Sequence, residues 1–275
     1  MGSEILLRLY DRDYTILTAK EIEEWDKLKE EEYFKVGKLK FRKPKFREYP
    51  KAVRHYQSLF PNNYLDVIEL SDLEKLNSKV NSFIELVKDS TSSERTLLNY
   101  INNNKVYPII GSILKSYDFG HHEAYLFPEF QLGNSYQVDY LLVGKSSGGY
   151  EFVFVELEHP NNKIFLKDGS QGEAFRKGLI QVNDWKRWLE INFSSLQETF
   201  KKYLNPKIDH LPEEFLIQDH TRYHYVVVAG KRVDFELNKE KKYRTRRQEI
   251  ENKIKLLHYD NLYDMAKRVI GENNY

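Results

Sequence analysis

Residues 137–160 read QVDYLLVGKSSGGYEFVFVELEHP, two apolar runs joined by a turn rich in Gly and Ser. β-Branched and aromatic residues fill both runs, and Gly144 to Gly149 supplies the turn chemistry. The stretch therefore predicts an antiparallel hairpin with strands 137–143 and 151–158. Strands this apolar belong inside a molecule, yet they carry acids. Asp139 stands early in the first strand, and Glu156 and Glu158 close the second. Pairing about the Gly144–Gly149 turn sets Asp139 opposite Phe154, with Glu156 as its diagonal neighbour on the same face. Side chains alternate across a strand, so Glu156 and Glu158 share a face and Leu157 points away. Carboxylates converging in an apolar setting repel one another unless a cation sits among them, and a divalent metal is the simplest candidate. A solvated hairpin edge would also carry acids, but the flanks VDYLLV and FVFVEL are too apolar for an exposed pair.

Outward from the hairpin, the order of elements defines the fold class. Glu94 to Asn103 reads as a helix capped by Ser92 or Ser93, and Ala124 to Phe130 as a strand. A loop with Gly169 and Gly172 leads into a long helix from Glu173 to Ile191. Tyr223 to Ala229 is an apolar, β-branched strand; a basic stretch, Lys239 to Arg247, precedes a helix over Asn261 to Ile270. The series α-β-β-β-α-β predicts a mixed sheet flanked by helices, an α/β core. In front of it, Glu4 to Leu17 suggests two short strands and Ala19 to Glu32 a charged helix. Lys35 to Lys51 mixes Lys, Arg, Pro and aromatics. That run suits either a solvated connector or a nucleic-acid contact, where basic side chains meet the backbone and rings stack on bases. Asp72 to Lys88 reads as a helix capped by Ser71. Asp89 to Ser93 then breaks the pattern, dividing an N-terminal region of α+β type (1–92), which has no clustered acids and is expected to regulate or assemble, from the domain that carries the three acids (93–275).

Composition narrows the function. With 40% hydrophobic residues, 20 Tyr and 16 Phe, the chain of 275 residues can build a substantial core. Its 43 basic and 42 acidic residues give a net charge of +1, so nucleic-acid contact would rest on local patches. The absence of cysteine excludes disulfides, thiolate-bound zinc and thiol catalysis, and suits a cytoplasmic protein. No apolar run approaches the roughly 20 residues that span a bilayer, so no membrane partner is expected. No Walker A loop is present, which argues against a nucleotide cofactor.

An acid on the second core strand followed by E-x-E at the end of the third, Asp139 and then Glu156-Leu157-Glu158, resembles the PD-(D/E)XK nuclease superfamily. The resemblance implies a restriction-endonuclease-like core in which Asp139 and Glu156 hold Mg2+ (or Mn2+), so that the scissile phosphate is polarised and water activated. Glu158 occupies the place usually held by lysine. There it is a further metal ligand or a general base, and it removes a positive charge that would orient the water. Gln181-Val-Asn-Asp-Trp185 on the long helix is similar to the Q-x-x-x-Y element of RecB-like nucleases, with Trp for Tyr, which implies a place for Gln181 at the site; a polar cap over the sheet with Trp185 in the core explains the pair equally well. More specifically, SERTLLNYI (93–101), FPEFQLG (127–133), QVDYLLV (137–143), FVFVELEHP (152–160), GEAFRKGLIQVNDW (172–185) and RRQEIENKIKLLHYDNLYDMAKRVI (246–270) together resemble the nuclease domain of Shedu-type bacterial antiphage proteins. That implies a DNA endonuclease or nickase used against phage, commonly a homo-oligomer, with the N-terminal region governing activation. The alternatives are a degenerate nuclease fold that binds DNA or serves assembly, kept open by Glu158, and an RNase.

Around the three acids, Lys163, Lys167, Arg176, Lys177, Lys186 and Arg187 are candidates for binding nucleic-acid phosphates, although a solvated helix face would explain several of them. Glu94 and Glu129 are candidate further acids near the metal, though Glu94 better suits the first turn of a helix, where the dipole favours an acid. His159 ends the strand beside Pro160. Gly144-Lys-Ser-Ser-Gly148 matches G-x-S-x-G, but a strand rather than a helix follows it, which rules out a nucleophile elbow.

Overall fold

The computed structural model describes residues 8–43, 45, 49, 54–168, 170–236, 240, 244, 247 and 253–275. Gly169, the start of the first expected strand and most of the basic stretch Lys239–Arg247 lie outside them. Residues 8–17 form turns rather than strands. Helix α1 (Ala19–Glu31) starts where Thr18 and Glu21 form a reciprocal cap: the Thr18 hydroxyl accepts from the Glu21 N–H, and Glu21 accepts from the Thr18 N–H. Immediately after it, β1 (Tyr33–Val36) and β2 (Leu39–Arg42) pair as a small antiparallel hairpin within the run read as a connector.

Helix α2 (Leu73–Lys88) is capped by Asp72, one residue beyond the expected Ser71, because the Asp72 carboxylate reaches the Lys75 N–H. Helix α3 (Glu94–Asn104) is capped by Ser93. The core sheet then follows as β3 (Glu123–Leu132), β4 (Tyr136–Ser146), β5 (Gly149–Leu157), β6 (Tyr223–Val228) and β7 (Ile254–Leu257), neighbours in that same order. The pairs β3–β4 and β4–β5 are antiparallel, whereas β5–β6 and β6–β7 are parallel. A parallel step needs a crossover. Helix α4 (Glu173–Asn192) makes the first one, and α5 (Leu196–Lys201) continues it along the sheet. Helix α6 (Tyr259–Val269) closes the chain. The expected α/β class with a mixed sheet flanked by helices is observed, and β7 is an additional strand.

Both sheet faces are buried. Tyr140, Leu142, Val153, Val155, Leu157, Val226 and Val228 pack with α2, α3 and α6 on one side. Leu141, Val143, Phe152, Phe154, Tyr225 and Val227 pack with Phe175, Val182, Trp185 and Leu189 of α4, and with Phe200, on the other. This double burial explains why the central strands read as nearly continuous apolar runs. Each fully buried Leu, Val or Phe contributes about 1.5–3 kcal/mol relative to exposure.

The expected boundary at Asp89–Ser93 is not a gap in packing. Leu76, Val80, Phe83, Ile84 and Val87 of α2 share a core with Leu97, Leu98 and Ile101 of α3. Asn161 donates to the carbonyls of Asp89 (3.2 Å) and Ser92 (2.8 Å), tying that junction to the loop after β5. Further upstream, Leu65 N–H donates to Ala124 and Leu126 N–H to Asn63, so residues 63–65 cover the β3 edge.

Candidate active site

The two-residue loop Ser147–Gly148 closes the β4–β5 hairpin, with Ser146 opposite Gly149. Gly149 has φ +100°, a backbone conformation that suits a residue without Cβ. The pairing inferred from sequence is shifted by this closure. Leu141, not Asp139, stands opposite Phe154, and Tyr140 stands opposite Val155. Carried one step further, that register sets Asp139 opposite Glu156, bringing the two carboxylates closer in register than the diagonal reading.

Asp139 and Glu156 lie where the ladder ends, with Glu156 beside Val227 on the α4 side of the sheet. There the Leu157 N–H donates to Asp139 Oδ2 at 2.7 Å, so a carboxylate replaces a strand partner. Glu156 is 3% exposed and Glu158 2% exposed. Glu156 Oε2 and Glu158 Oε1 are both buried without a hydrogen-bond partner among the described residues. Such orphaned carboxylate oxygens are costly unless a ligand meets them.

The electrostatics follow. Burial pushes the Asp139 carboxyl well above the usual carboxylate range despite its backbone hydrogen bond, and Glu94, Glu158 and Glu129 add to the rise. Burial raises Glu156 further still, with Asp139, Glu158 and Glu94 contributing and Lys177 opposing. Burial also raises Glu158, against the pull of Lys177. Because Asp139 and Glu156 interact, their protons belong to the pair rather than to either residue. Glu94, at the start of α3, therefore stands close enough to be felt by all three acids, a role that its place in a first helical turn does not reveal. Glu129 adopts φ +49° within β3 and pairs with Arg95 at 3.1 Å; a left-handed non-glycine residue in a strand is strained, and such strain concentrates at functional sites.

Helix α4 brings the cation. Gly178 lets it approach the sheet: a Cβ there would meet Val227 at 2.6 Å and Glu158 Cγ at 3.2 Å. Lys177 Nζ consequently lies 3.2 Å from Glu158 Oε2. Burial lowers the Lys177 ammonium, but Glu158, Glu94 and Glu156 outweigh it and hold the group charged. Gln181 is half-buried one turn further along the same helix. Trp185, by contrast, is fully buried in the core.

The remaining basic candidates divide. Arg176, Lys163 and Lys167 are exposed around the start of α4. Lys186 lies 4.9 Å from the Tyr225 ring and Arg187 pairs with Asp184 at 3.7 Å. They sit about 13 Å further along the helix than Lys177 at 1.5 Å per residue. The six do not form one patch beside the acids. His159 accepts from the Asn161 N–H at 3.1 Å and shapes the strand end. Behind the site, Tyr259 donates to the Glu158 carbonyl at 2.8 Å.

Among the described residues no group of three or more His, Asp or Glu side chains stands ready as a metal cage. Two carboxylates are sufficient for Mg2+, which is usually held by one or two of them together with water and substrate phosphate. All-oxygen donors, with one buried oxygen unpartnered on Glu156, fit that chemistry.

A pH dependence follows from the raised carboxyls. A group whose folded pKa lies above its unfolded value near 4 makes the folded state take up protons, so stability is full below that value and is lost as pH rises through the folded one. In EDTA the protein is expected to melt at progressively lower temperature as pH is raised from about 5 to 9. A melting temperature that instead climbs steadily over that range would contradict the burial of these acids.

A family model described as Shedu protein SduA, C-terminal, matches residues 91–263, well over half of the chain. No curated protein matches it.

Proposed function

The chain belongs to the Shedu SduA C-terminal family, and from that membership and its buried acids we propose that it is a metal-dependent DNA endonuclease or nickase acting in bacterial defence against phage. The family points to the defence role; the acid pair supports the chemistry. The observation that carries the reading is the half-buried Asp139 set in register with the buried Glu156 at a sheet end, with a Glu156 oxygen lacking a partner. In this reading the sheet belongs to the restriction-endonuclease-like class.

Asp139 and Glu156 are the residues that would hold Mg2+ or Mn2+, with Glu158 beside them. Bound there, the cation would offset phosphate charge and ease the loss of a proton from water, leaving hydroxide as the nucleophile. The protein's own groups do the rest. The Leu157 N–H fixes the Asp139 carboxylate in place. Glu158, held by Lys177, is the residue that would take a proton from water, and burial makes it a stronger base than an exposed carboxylate. Lys177 supplies from α4 the positive charge that Glu158 displaces from the strand, where it can meet the phosphate. Gln181 lines the same helix face. Arg176, Lys163 and Lys167 offer phosphate contacts that position the backbone without reading sequence.

Glu158 in the lysine place favours the competing reading, a nuclease fold that only binds DNA or assembles. Supercoiled plasmid, linear duplex, single-stranded DNA and RNA incubated with the protein in Mg2+, Mn2+ or EDTA separate the readings. Metal-dependent conversion of plasmid to nicked or linear form is expected. DNA binding without cleavage of any substrate in either metal would leave the binding module, and cleavage confined to RNA would establish an RNase.

A further inference from the structure

The β1–β2 hairpin carries a strict alternation. Phe34 pairs with Phe41 and Val36 with Leu39, while Tyr33 pairs with Arg42 and Lys35 with Lys40. Opposed residues of an antiparallel ladder share a face. One face is therefore wholly apolar and the other basic, and among the described residues nothing buries either. All residues of both strands are exposed, with Phe34 at 47%, Phe41 at 43%, Val36 at 60% and Leu39 at 65%. The Phe34 and Phe41 rings stack 5.7 Å apart, and Lys40 Nζ lies 4.1 Å from the Tyr33 ring.

Charge is equally one-sided. From Tyr33 to Lys43 the chain holds Lys35, Lys38, Lys40, Arg42 and Lys43 and no acid, in a protein of net charge +1. Arg42 pairs with the buried Glu32 at 2.9 Å, which anchors the base of the hairpin to the end of α1. Among the described residues no acid pairs with Lys35, Lys38 or Lys43. A two-stranded hairpin is marginally stable alone in water, and an apolar face left open on it marks a contact surface.

We propose that this hairpin is a docking surface for an unpaired nucleic-acid strand. Exposed flat rings on one face offer stacking to successive bases irrespective of sequence, and the long side chains of the tip lysine and of the lysines on the other face reach round a ribbon only two strands wide to the phosphates. The stretch 33–43 contains no Asn, Gln, Asp, Glu, Ser or Thr. It thus lacks the usual neutral and acidic groups for reading base edges, and Arg42 is engaged by Glu32. The excess of cations selects a polyanion over a second copy of the chain, whose hairpin would bring the same charges. The proposal stands independently of cleavage, since it involves none of the residues of the acid site.

Fluorescence anisotropy on the full chain in EDTA, with labelled oligothymidylate, oligouridylate and a duplex of equal length, tests it. Either single strand should bind more tightly than the duplex. The triple variant Lys35→Ala/Lys38→Ala/Lys40→Ala should weaken strand binding at least about tenfold. It should also reduce the slope of log affinity against log salt by roughly 2, at about 0.7 for each phosphate no longer neutralised. Phe34→Ala/Phe41→Ala should weaken binding about tenfold with the slope retained. Both variants change exposed side chains, so circular dichroism and melting should match the wild type. Asp139→Asn should keep hairpin-dependent binding whether or not it cleaves, which separates failure here from failure of the nuclease reading. Unchanged affinity and slope in both variants would overturn the proposal. So would tighter binding of the duplex through the same residues. A Phe34→Ala/Phe41→Ala protein that loses an oligomeric state in light scattering while binding strands normally would assign the apolar face to self-association instead.

Discussion

Asp139→Asn and Glu156→Gln are each expected to abolish metal-dependent DNA cleavage while raising the melting temperature of the metal-free protein. The two effects have one origin. Glu156 is buried and Asp139 half-buried at the end of the β4–β5 ladder; desolvation raises both carboxyls, and Asp139 pushes Glu156 higher still. An amide keeps the shape and removes the charge, so the repulsion goes with it. The gain in melting temperature should be largest at alkaline pH, where the wild-type pair is most ionised. It should vanish near pH 4, where the wild-type carboxyls are protonated as well. Cleavage should fall by at least about 10³-fold, since a lost ligand removes several kcal/mol of transition-state stabilisation and each 1.36 kcal/mol is tenfold. DNA affinity should change little, being carried by dispersed cations. Undiminished cleavage by Asp139→Asn would mean that the reaction is run by other residues. A variant that loses cleavage but melts well below the wild type would mean that these acids serve folding.

Lys177→Met should lower cleavage about 10²–10³-fold, the usual loss when one preorganised charge is taken from a developing anion. It should also destabilise the protein, because Glu158 is almost fully buried and would be left without its cation. That cost is about 1–3 kcal/mol for an unsatisfied buried group, and it is moderated by the 61% exposure of the Lys177 side chain. Adding Glu158→Gln to Lys177→Met should recover the stability but not the cleavage. The exchange Lys177→Glu with Glu158→Lys, which returns the cation to the strand, should cleave better than Lys177→Glu alone. A Lys177→Met protein with wild-type cleavage and lowered stability would confine Lys177 to a structural pairing.

The central strands and their order were legible because double burial writes itself as apolar runs, and because helices α3 and α4 begin at a readable cap and a readable glycine turn. The register was not. Six residues between Gly144 and Gly149 permit more than one closure, and the two-residue loop Ser147–Gly148 is selected by pairing that a local pattern does not contain. Ile254–Leu257 is too short and too closely flanked by lysines to stand out as a strand. The β1–β2 alternation was hidden because its apolar face meets no core, so Lys and Phe interleave as in a disordered basic run. At the site, the acids announce themselves by sitting in apolar strands. Lys177 does not: it reaches Glu158 from 19 residues away, and only the crossover brings the two together. Glu94 is similar, a first-turn acid until α3 is docked against the sheet end.

The N-terminal wrap bears on how such a protein is assembled over evolution. The Leu9 N–H donates to the Asn62 carbonyl, Tyr107 donates to the Leu9 carbonyl, and Phe60 is fully buried against Tyr125 and Phe127. Residues on both sides of α1 and the basic hairpin thus belong to the same body as the acids, and the chain leaves that body and returns to it. A recombination event at residue 91 would split the packed α2–α3 pair, whereas exchange of the excursion between Leu17 and Arg54 would spare it. New recognition surfaces would therefore enter this lineage most readily as insertions between those points, with the body that holds the acids carried unchanged around them.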